Sequence, residues 1–286
     1  MRTFQFVAPT SVEATLALLG EHGPDASLLA GGQSYLILLR QGLVAPEVLV
    51  GLRGVAELAR VERRDGGLRL GSMVTYRTAT RDPAVAARFP AVAAAAGSVG
   101  SVHIRNRGTI GGSLCHADPA GDLPTVLLTL DATLHTVRPD GTAAGHRVDD
   151  FFRGLLQTRL EDDELLTWID LPEQPAGSTF GYRRFSYRHG EYPMAVAACR
   201  LDWEAGRCAG ARVAVGGGGP FPSRLPELER LLEGVAADGM AAAAATEDPY
   251  ERLRPLADIR GGEAWKRRVV TKLVRDTVAD AVRRRS

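Results

Sequence analysis

Residues 105–124 read RNRGTIGGSLCHADPAGDLP. Two arginines open the stretch, hydroxyls at Thr109 and Ser113 flank the pair Gly111-Gly112, and His116, Asp118 and Asp122 follow. Glycine permits close approach and the positive φ angles with which backbone N–H groups converge on an anion. The carboxylates repel phosphate, but they accept hydrogen bonds from sugar or ribityl hydroxyls. A second string of this kind, AGGQS (Ala30–Ser34), follows the apolar run ASLL, and Gln33 and Ser34 add side-chain donors. Two such loops suit a pyrophosphate, and the carboxylates extend the match to a dinucleotide. Gly-Gly pairs also mark ordinary turns and bulges. Neither loop matches G-x-G-x-x-G or the Walker A pattern, which excludes an ordinary Rossmann domain or P-loop. The residues by themselves indicate a nucleotide site without naming the nucleotide.

These loops need elements to hold them. Thr10 and Glu13 have capping-box spacing ahead of a helix carrying Leu16, Leu18 and Leu19, which Gly20 or Gly23 can end. ASLL, EVLVGL and LRLGSMVTY read as strands. PAVAAAAGSVG is a helix with Pro90 in its first turn. TVLLTLDATLHTV is either strand throughout or a short helix leading into a strand. DLPEQPAGSTF (170–180) is rich in Pro, Gly and Ser and marks the domain boundary. Beyond it, two strands join in a hairpin around Ala205-Gly206, and Gly216–Gly219 connects the sheet to helices. In the last helix Val269, Val270, Leu273, Val274, Val278 and Val282 share one face, and the basic face is solvated.

A chain of 286 residues suits two domains. Lys plus Arg number 35 against 34 Asp plus Glu, so the balance gives no electrostatic case for nucleic-acid binding. No apolar run is long enough to span a bilayer, and the N-terminal stretch, broken by Pro9 and carrying Glu13 and Glu21, does not read as a signal peptide. The expected location is cytoplasmic. Cys115, Cys199 and Cys208 are far apart, which argues against a disulfide framework, an iron–sulfur cluster or a zinc site. Redox chemistry here would need an organic cofactor.

AGGQSYLILLRQG (30–42) and HIRNRGTIGGSLCHADPAGDLPTVLLTLDAT (103–133) resemble the two flavin loops of the FAD-binding medium subunit of molybdenum hydroxylases, the carbon monoxide dehydrogenase and xanthine dehydrogenase family. RHGEYPMAVAA (188–198), VAVGGGGPFPSR (213–224) and DIRGGEAWKRR (258–268) extend the resemblance over nearly the whole chain. It implies an α+β fold: a two-lobed FAD-binding domain of the vanillyl-alcohol-oxidase type over 1–177, with lobes of about 1–56 and 57–177, then a C-terminal domain of small antiparallel sheet plus helices over 178–286. FAD is the implied cofactor. The implied partners are a large molybdenum-cofactor subunit and a small [2Fe–2S] subunit, in a dimer of heterotrimers. Electrons would pass from the clusters through FAD to quinone, NAD or oxygen.

By the same resemblance Leu29, Ala30, Gly31, Gly32, Gln33, Ser34, Tyr35 and Leu36 line the pyrophosphate and flavin edge. Thr109, Gly111, Gly112 and Ser113 form the second nest. His116, Asp118 and Asp122 contact FAD, Arg184 meets the flavin, and Tyr192 covers its ring. Ile37 stands where the family usually has proline, Ser113 where it has asparagine, and Arg184 where lysine is commoner. Valine at Gly111 or Gly112 is expected to abolish FAD binding with the fold largely intact. No covalent link through Cys115 or His116 is implied. His103 and His189 read as loop hydrogen-bonders, and Trp168, Trp203 and Trp265 as core or interface anchors. No side chain need act as acid or base. The alternatives are a stand-alone flavoenzyme on the same fold and a binding module that has lost its flavin.

Overall fold

The computed structural model describes residues 3–188 and 190–285. In the first lobe, strands β1 (Gln5–Val7), β2 (Ala26–Leu29) and β3 (Val48–Gly51) form a parallel sheet in the order β1-β3-β2. Parallel neighbours need crossovers, which α1 (Val12–His22) and α2 (Tyr35–Gln41) supply. The cap of α1 is Ser11, whose hydroxyl accepts from the Ala14 amide, so the expected Thr10–Glu13 box does not form. The helix ends at Gly23, with φ +52°. The core of this lobe gathers Leu19, Val48, Val50, Val55 and Leu58, and it borrows Met73 and Leu165 from the second lobe.

In the second lobe, β4 (Val61–Arg64), β5 (Gly67–Gly71), β6 (Thr133–Val137), β7 (Ala143–Arg147) and β10 (Leu165–Pro172) make an antiparallel sheet in the order β4-β5-β10-β6-β7. The short strands β8 (Phe152–Gly154) and β9 (Gln157–Thr158) form a separate hairpin. Between β5 and β6 lie six helices: α3 (Tyr76–Arg81), α4 (Pro83–Arg88), α5 (Pro90–Ser98), α6 (Val102–Arg105), α7 (Ile110–His116) and α8 (Asp122–Thr129). The run LRLGSMVTY is thus strand only to Gly71. Thr75, whose hydroxyl accepts from the Thr78 amide, then starts α3.

Of the two readings of TVLLTLDATLHTV, helix then strand is the one observed. Every residue of α8 is buried. The helix lies between α5 and α7 of its own lobe and strands β12 (Ala195–Glu204) and β13 (Arg207–Gly216) of the C-terminal sheet. The helix is covered on all sides, so its polar residues Asp122, Thr125 and Thr129, at helical spacing, are buried rather than facing water.

After the 173–178 connection, β11 (Thr179–Phe185), β12, β13 and β14 (Ser223–Arg224) form an antiparallel sheet in chain order. The β12–β13 hairpin turns at Ala205 and Gly206, both at positive φ. One face of the sheet carries α9 (Pro226–Leu232) and α11 (Glu263–Arg283), with α10 (Met240–Ala244) beside them. Helix α11 buries Val270, Leu273, Val274 and Val278 and half-buries Val269 and Val282, as its spacing predicts. The tryptophans are half-buried: Trp168 lies under Arg69, Trp203 packs against the C-terminal core and donates to Thr179, and Trp265 stacks on Tyr187. Among the described residues, no helix is long and apolar enough to cross a membrane.

Candidate functional site

The loop after β2 turns at Gly32, whose φ is +72°. Among the described residues, nothing accepts from the backbone N–H groups of Gly31, Gly32, Gln33, Ser34 and Tyr35. Such a run of unpaired donors needs either water or an anion. The loop is held shut from within: the Gln33 amide donates to Gly31 O at 2.9 Å, and the side chains of Leu29 and Leu36 close on Gly32.

The second glycine pair does not lie in an open loop. Thr109 caps α7, and Gly111 and Gly112 stand in its first turn. Their amides are already committed, Gly111 N–H to Ser72 O at 2.9 Å and Gly112 N–H to Thr109 Oγ1 at 3.0 Å. A Cβ at Gly111 would sit 2.5 Å from Ser72 Cβ and 2.6 Å from Ser72 O, so substitution there disturbs the lobe itself. That corrects the expectation of an intact fold for a Gly111 variant. The two segments nonetheless meet. A Cβ at Gly31 would fall 2.1 Å from Arg107 O and 2.8 Å from Gly108 Cα, and one at Gly112 would fall 3.4 Å from Ala30 Cβ. Glycine brings two stretches some eighty positions apart into backbone contact.

They border one cavity of about 590 Å³, within the usual range of ligand sites. Both lobes and the C-terminal domain line it. Ala30, Gly31, Gly32, Gln33, Ser34, Tyr35, Thr109, Gly111, Gly112, Ser113, His116, Asp122, Arg184 and Tyr192 are all on its wall. Leu29, Leu36 and Asp118 are not: the leucines brace the loop, and Asp118 accepts from the Ala120 amide and faces the Tyr192 hydroxyl. His103 is exposed and off the wall, and His189 lies outside the described residues.

The far end of the cavity is electrostatically asymmetric. Asp122 is 5% exposed; burial pushes its pKa up to about 6, against the pull of Arg184 and of the Tyr182 hydroxyl. Arg184 donates to Ser98 O and Glu191 O and holds Nε 3.6 Å from Asp122 Oδ1. Burial also pushes the Tyr76 phenol up to about 12, and that hydroxyl faces Ser113. Ser72, Tyr76, Tyr182, Glu164 and Glu191 belong to or support the wall without any signal in their local sequence. Only the packing of β5, β10 and β11 brings them there.

Three buried polar side-chain atoms around the cavity lack a hydrogen-bond partner among the described residues: Tyr35 Oη, Ser72 Oγ and Arg184 Nε, the last only 3.6 Å from Asp122. Orphans of this kind are rare unless a ligand completes them. With the free amides of residues 31–35 and the Asp122 carboxylate, the wall offers donors for phosphate and an acceptor for hydroxyls. The donor set fits FAD.

The architecture is a cavity between two lobes, closed by a third, sheet-and-helix layer and lined with donors that suit a dinucleotide. Residues 2–174 match the FAD binding domain in molybdopterin dehydrogenase, and residues 180–281 match the CO dehydrogenase flavoprotein C-terminal domain. The chain is 36% identical over 277 residues to the nicotine 6-hydroxylase medium subunit of Paenarthrobacter nicotinovorans, covering 97% of this chain and 96% of that one. Among solved structures, a chain of quinoline 2-oxidoreductase from Pseudomonas putida 86 superposes with a TM-score of 0.92 at 32% identity, covering 99% of this chain and 98% of that one. A chain of carbon monoxide dehydrogenase from Hydrogenophaga pseudoflava does so with 0.93 at 30%, with the same coverage. The protein belongs to the family of FAD-binding medium subunits of molybdenum hydroxylases, and its cofactor is FAD.

Proposed function

We propose that this chain is the electron-transfer subunit of a cytoplasmic molybdenum hydroxylase, taking electrons from the [2Fe–2S] clusters of a small partner subunit and passing them to quinone, NAD or oxygen. Bound FAD supplies the redox chemistry, accepting electrons singly or in pairs at its isoalloxazine ring. The large partner carries the molybdenum cofactor, and the assembly is a dimer of heterotrimers. The observation that supports this reading best is the convergence of the 31–35 amides, the start of α7 and the β11 edge on one cavity.

The chain's own residues bind and orient. The amides of Gly31–Tyr35 take the diphosphate, with Thr109 and Ser113 on the facing wall. Asp122 accepts from ribityl hydroxyls, and Arg184 Nε donates beside it. Tyr192, 49% exposed at the mouth, limits access to the ring. The test is an absorption spectrum of the chain after incubation with FAD and desalting, alone and co-expressed with the two partner subunits. Flavin bands are expected, bleached by the hydroxylase substrate only when the iron–sulfur subunit is present. Bleaching without that subunit would refute the electron route and favour a stand-alone flavoenzyme.

A further inference from the structure

Tyr182 occupies a place where two domains share one hydrogen-bond network. It belongs to β11 of the C-terminal sheet, yet its hydroxyl donates to Asp122 Oδ1 at 2.6 Å and lies 2.7 Å from Ser98 Oγ. Both partners come from the preceding domain: Asp122 is the first residue of α8, and Ser98 the last of α5. The single Ser98 hydroxyl proton is shared between the Tyr182 oxygen and Ala95 O, 2.8 Å away at the end of its own helix. The Tyr182 ring packs on the core beneath. Two residues along the same strand, the Arg184 guanidinium stands next to the same carboxylate oxygen without bonding it. Among the described residues, Asp122 thus has a single side-chain hydrogen-bond donor, and that donor comes from the other domain.

A carboxylate this buried stays charged only with help. Burial works against its ionisation; Arg184 and then the Tyr182 hydroxyl work for it, and Asp118 adds to the opposition. Tyr76 and Tyr192 also face it as neutral phenols: burial keeps Tyr76 protonated, and desolvation of the hydroxyl end beside Asp118 does so for Tyr192, although that side chain is half exposed at the mouth. We infer that Tyr182 is a positioning residue of the flavin site, holding Asp122 in place and in its charged form, so that the C-terminal domain sets the acceptor strength of a carboxylate in the FAD domain. The inference rests on the reading of the cavity as the FAD site.

The consequence has a definite sign. A ligand hydroxyl donates to the anionic carboxylate. Affinity is therefore full above the carboxyl pKa and is lost as the pH falls through it. Tyr182→Phe keeps the ring and removes one charge-assisted hydrogen bond to the ionised form. The midpoint then moves up by about one pH unit.

The experiment titrates the full chain with FAD by flavin fluorescence between about pH 5 and about pH 8.5, for wild type, Tyr182→Phe and Asp122→Asn. In wild type, Kd rises as the pH falls through about 6. In Tyr182→Phe the rise comes about one unit higher, which weakens binding about twofold at pH 7 and about eightfold at pH 5.5 and leaves it unchanged at the alkaline end. Asp122→Asn gives a flat profile. A Tyr182→Phe profile superimposed on wild type, or weakened equally at every pH, overturns the inference, and so does a step that survives in Asp122→Asn. A second measurement needs no FAD: the infrared carbonyl stretch of the protonated carboxyl, assigned by its loss in Asp122→Asn. Its midpoint is expected to rise in Tyr182→Phe. If it rises while the FAD profile stays put, Tyr182 does govern Asp122 and the FAD placement is at fault. If it does not rise, the inference fails.

Discussion

Gly31→Ala tests the central geometry of the cavity. Residue 31 has no positive φ, so alanine meets no backbone penalty there. The obstacle is space alone. The new Cβ would lie 2.1 Å from Arg107 O, 2.8 Å from the Arg107 carbonyl carbon and 2.8 Å from Gly108 Cα. Real Cβ contacts essentially never fall below 3.0 Å, so the loop or its neighbour must withdraw by roughly 1 Å, a displacement large enough to spoil a preorganised site. All three atoms are backbone, so no side chain can rotate away. Overpacking of this kind costs about 1–3 kcal/mol. Because the moved atoms carry the free amides of residues 31–35, that cost is expected to fall on FAD affinity as a rise in Kd of about 5- to 150-fold. Gly112→Ala is the milder comparison: its Cβ would meet Thr109 Oγ1 at 2.8 Å and Ala30 Cβ at 3.4 Å, and the hydroxyl can turn only by giving up the cap of α7, so a smaller loss is expected than at Gly31. Gly111→Ala, jammed against the Ser72 backbone, is expected to lower thermal stability as well. The assay is a fluorescence titration with FAD beside a circular-dichroism melt for each variant. Wild-type affinity in Gly31→Ala, or an equal loss in Gly112→Ala, would refute the argument that these backbone contacts shape the site.

Two further substitutions probe the C-terminal sheet, one at its contact with the preceding domain and one in its hairpin turn. Arg200, on β12, donates to Thr129 O at 3.2 Å and pairs with Asp131 at 3.2 Å and Asp202 at 3.1 Å, its side chain 6% exposed; Arg200→Ala is expected to destabilise the chain by about 3 kcal/mol in urea unfolding, and a change under about 1 kcal/mol would show the cluster to be solvated. Ala205 holds φ at +45° in the β12–β13 turn, before Gly206; Ala205→Asn gives the Asn-Gly pair that such turns favour and is expected to raise stability by about 0.5–1 kcal/mol, measured by the same unfolding curve, with no gain counting against a strained Ala205.

Much of the molecule was legible in the chain. The β12–β13 hairpin announced itself by its Ala-Gly turn between two small-residue strands. The long α11 showed its face because one side meets the C-terminal sheet and the other meets water. The run of free amides over 31–35 was readable because such a run needs adjacent residues, and adjacency is what a sequence displays. The Thr109–Ser113 segment was half-legible: its glycines do mark a close approach, but to Ser72 and Ala30 rather than chiefly to a ligand. The capping residue of α1 was missed by one position, since Thr10 and Ser11 offer the same hydroxyl and only the chain path selects Ser11.

The sequence by itself, through its resemblance to a known family, determined the family and the cofactor, and it pointed to most of the residues that line the cavity, because these are written in contiguous motifs with local geometric needs. Only the tertiary structure decided that α8 is a helix sealed between the helices of its own lobe and the C-terminal sheet, that Gly31 touches Arg107, and that Tyr182 donates to Asp122. Each of these depends on partners dozens of positions away. A carboxylate's charge state follows from how much water is excluded and which donors arrive, and burial is a property of the packed chain rather than of any stretch of it.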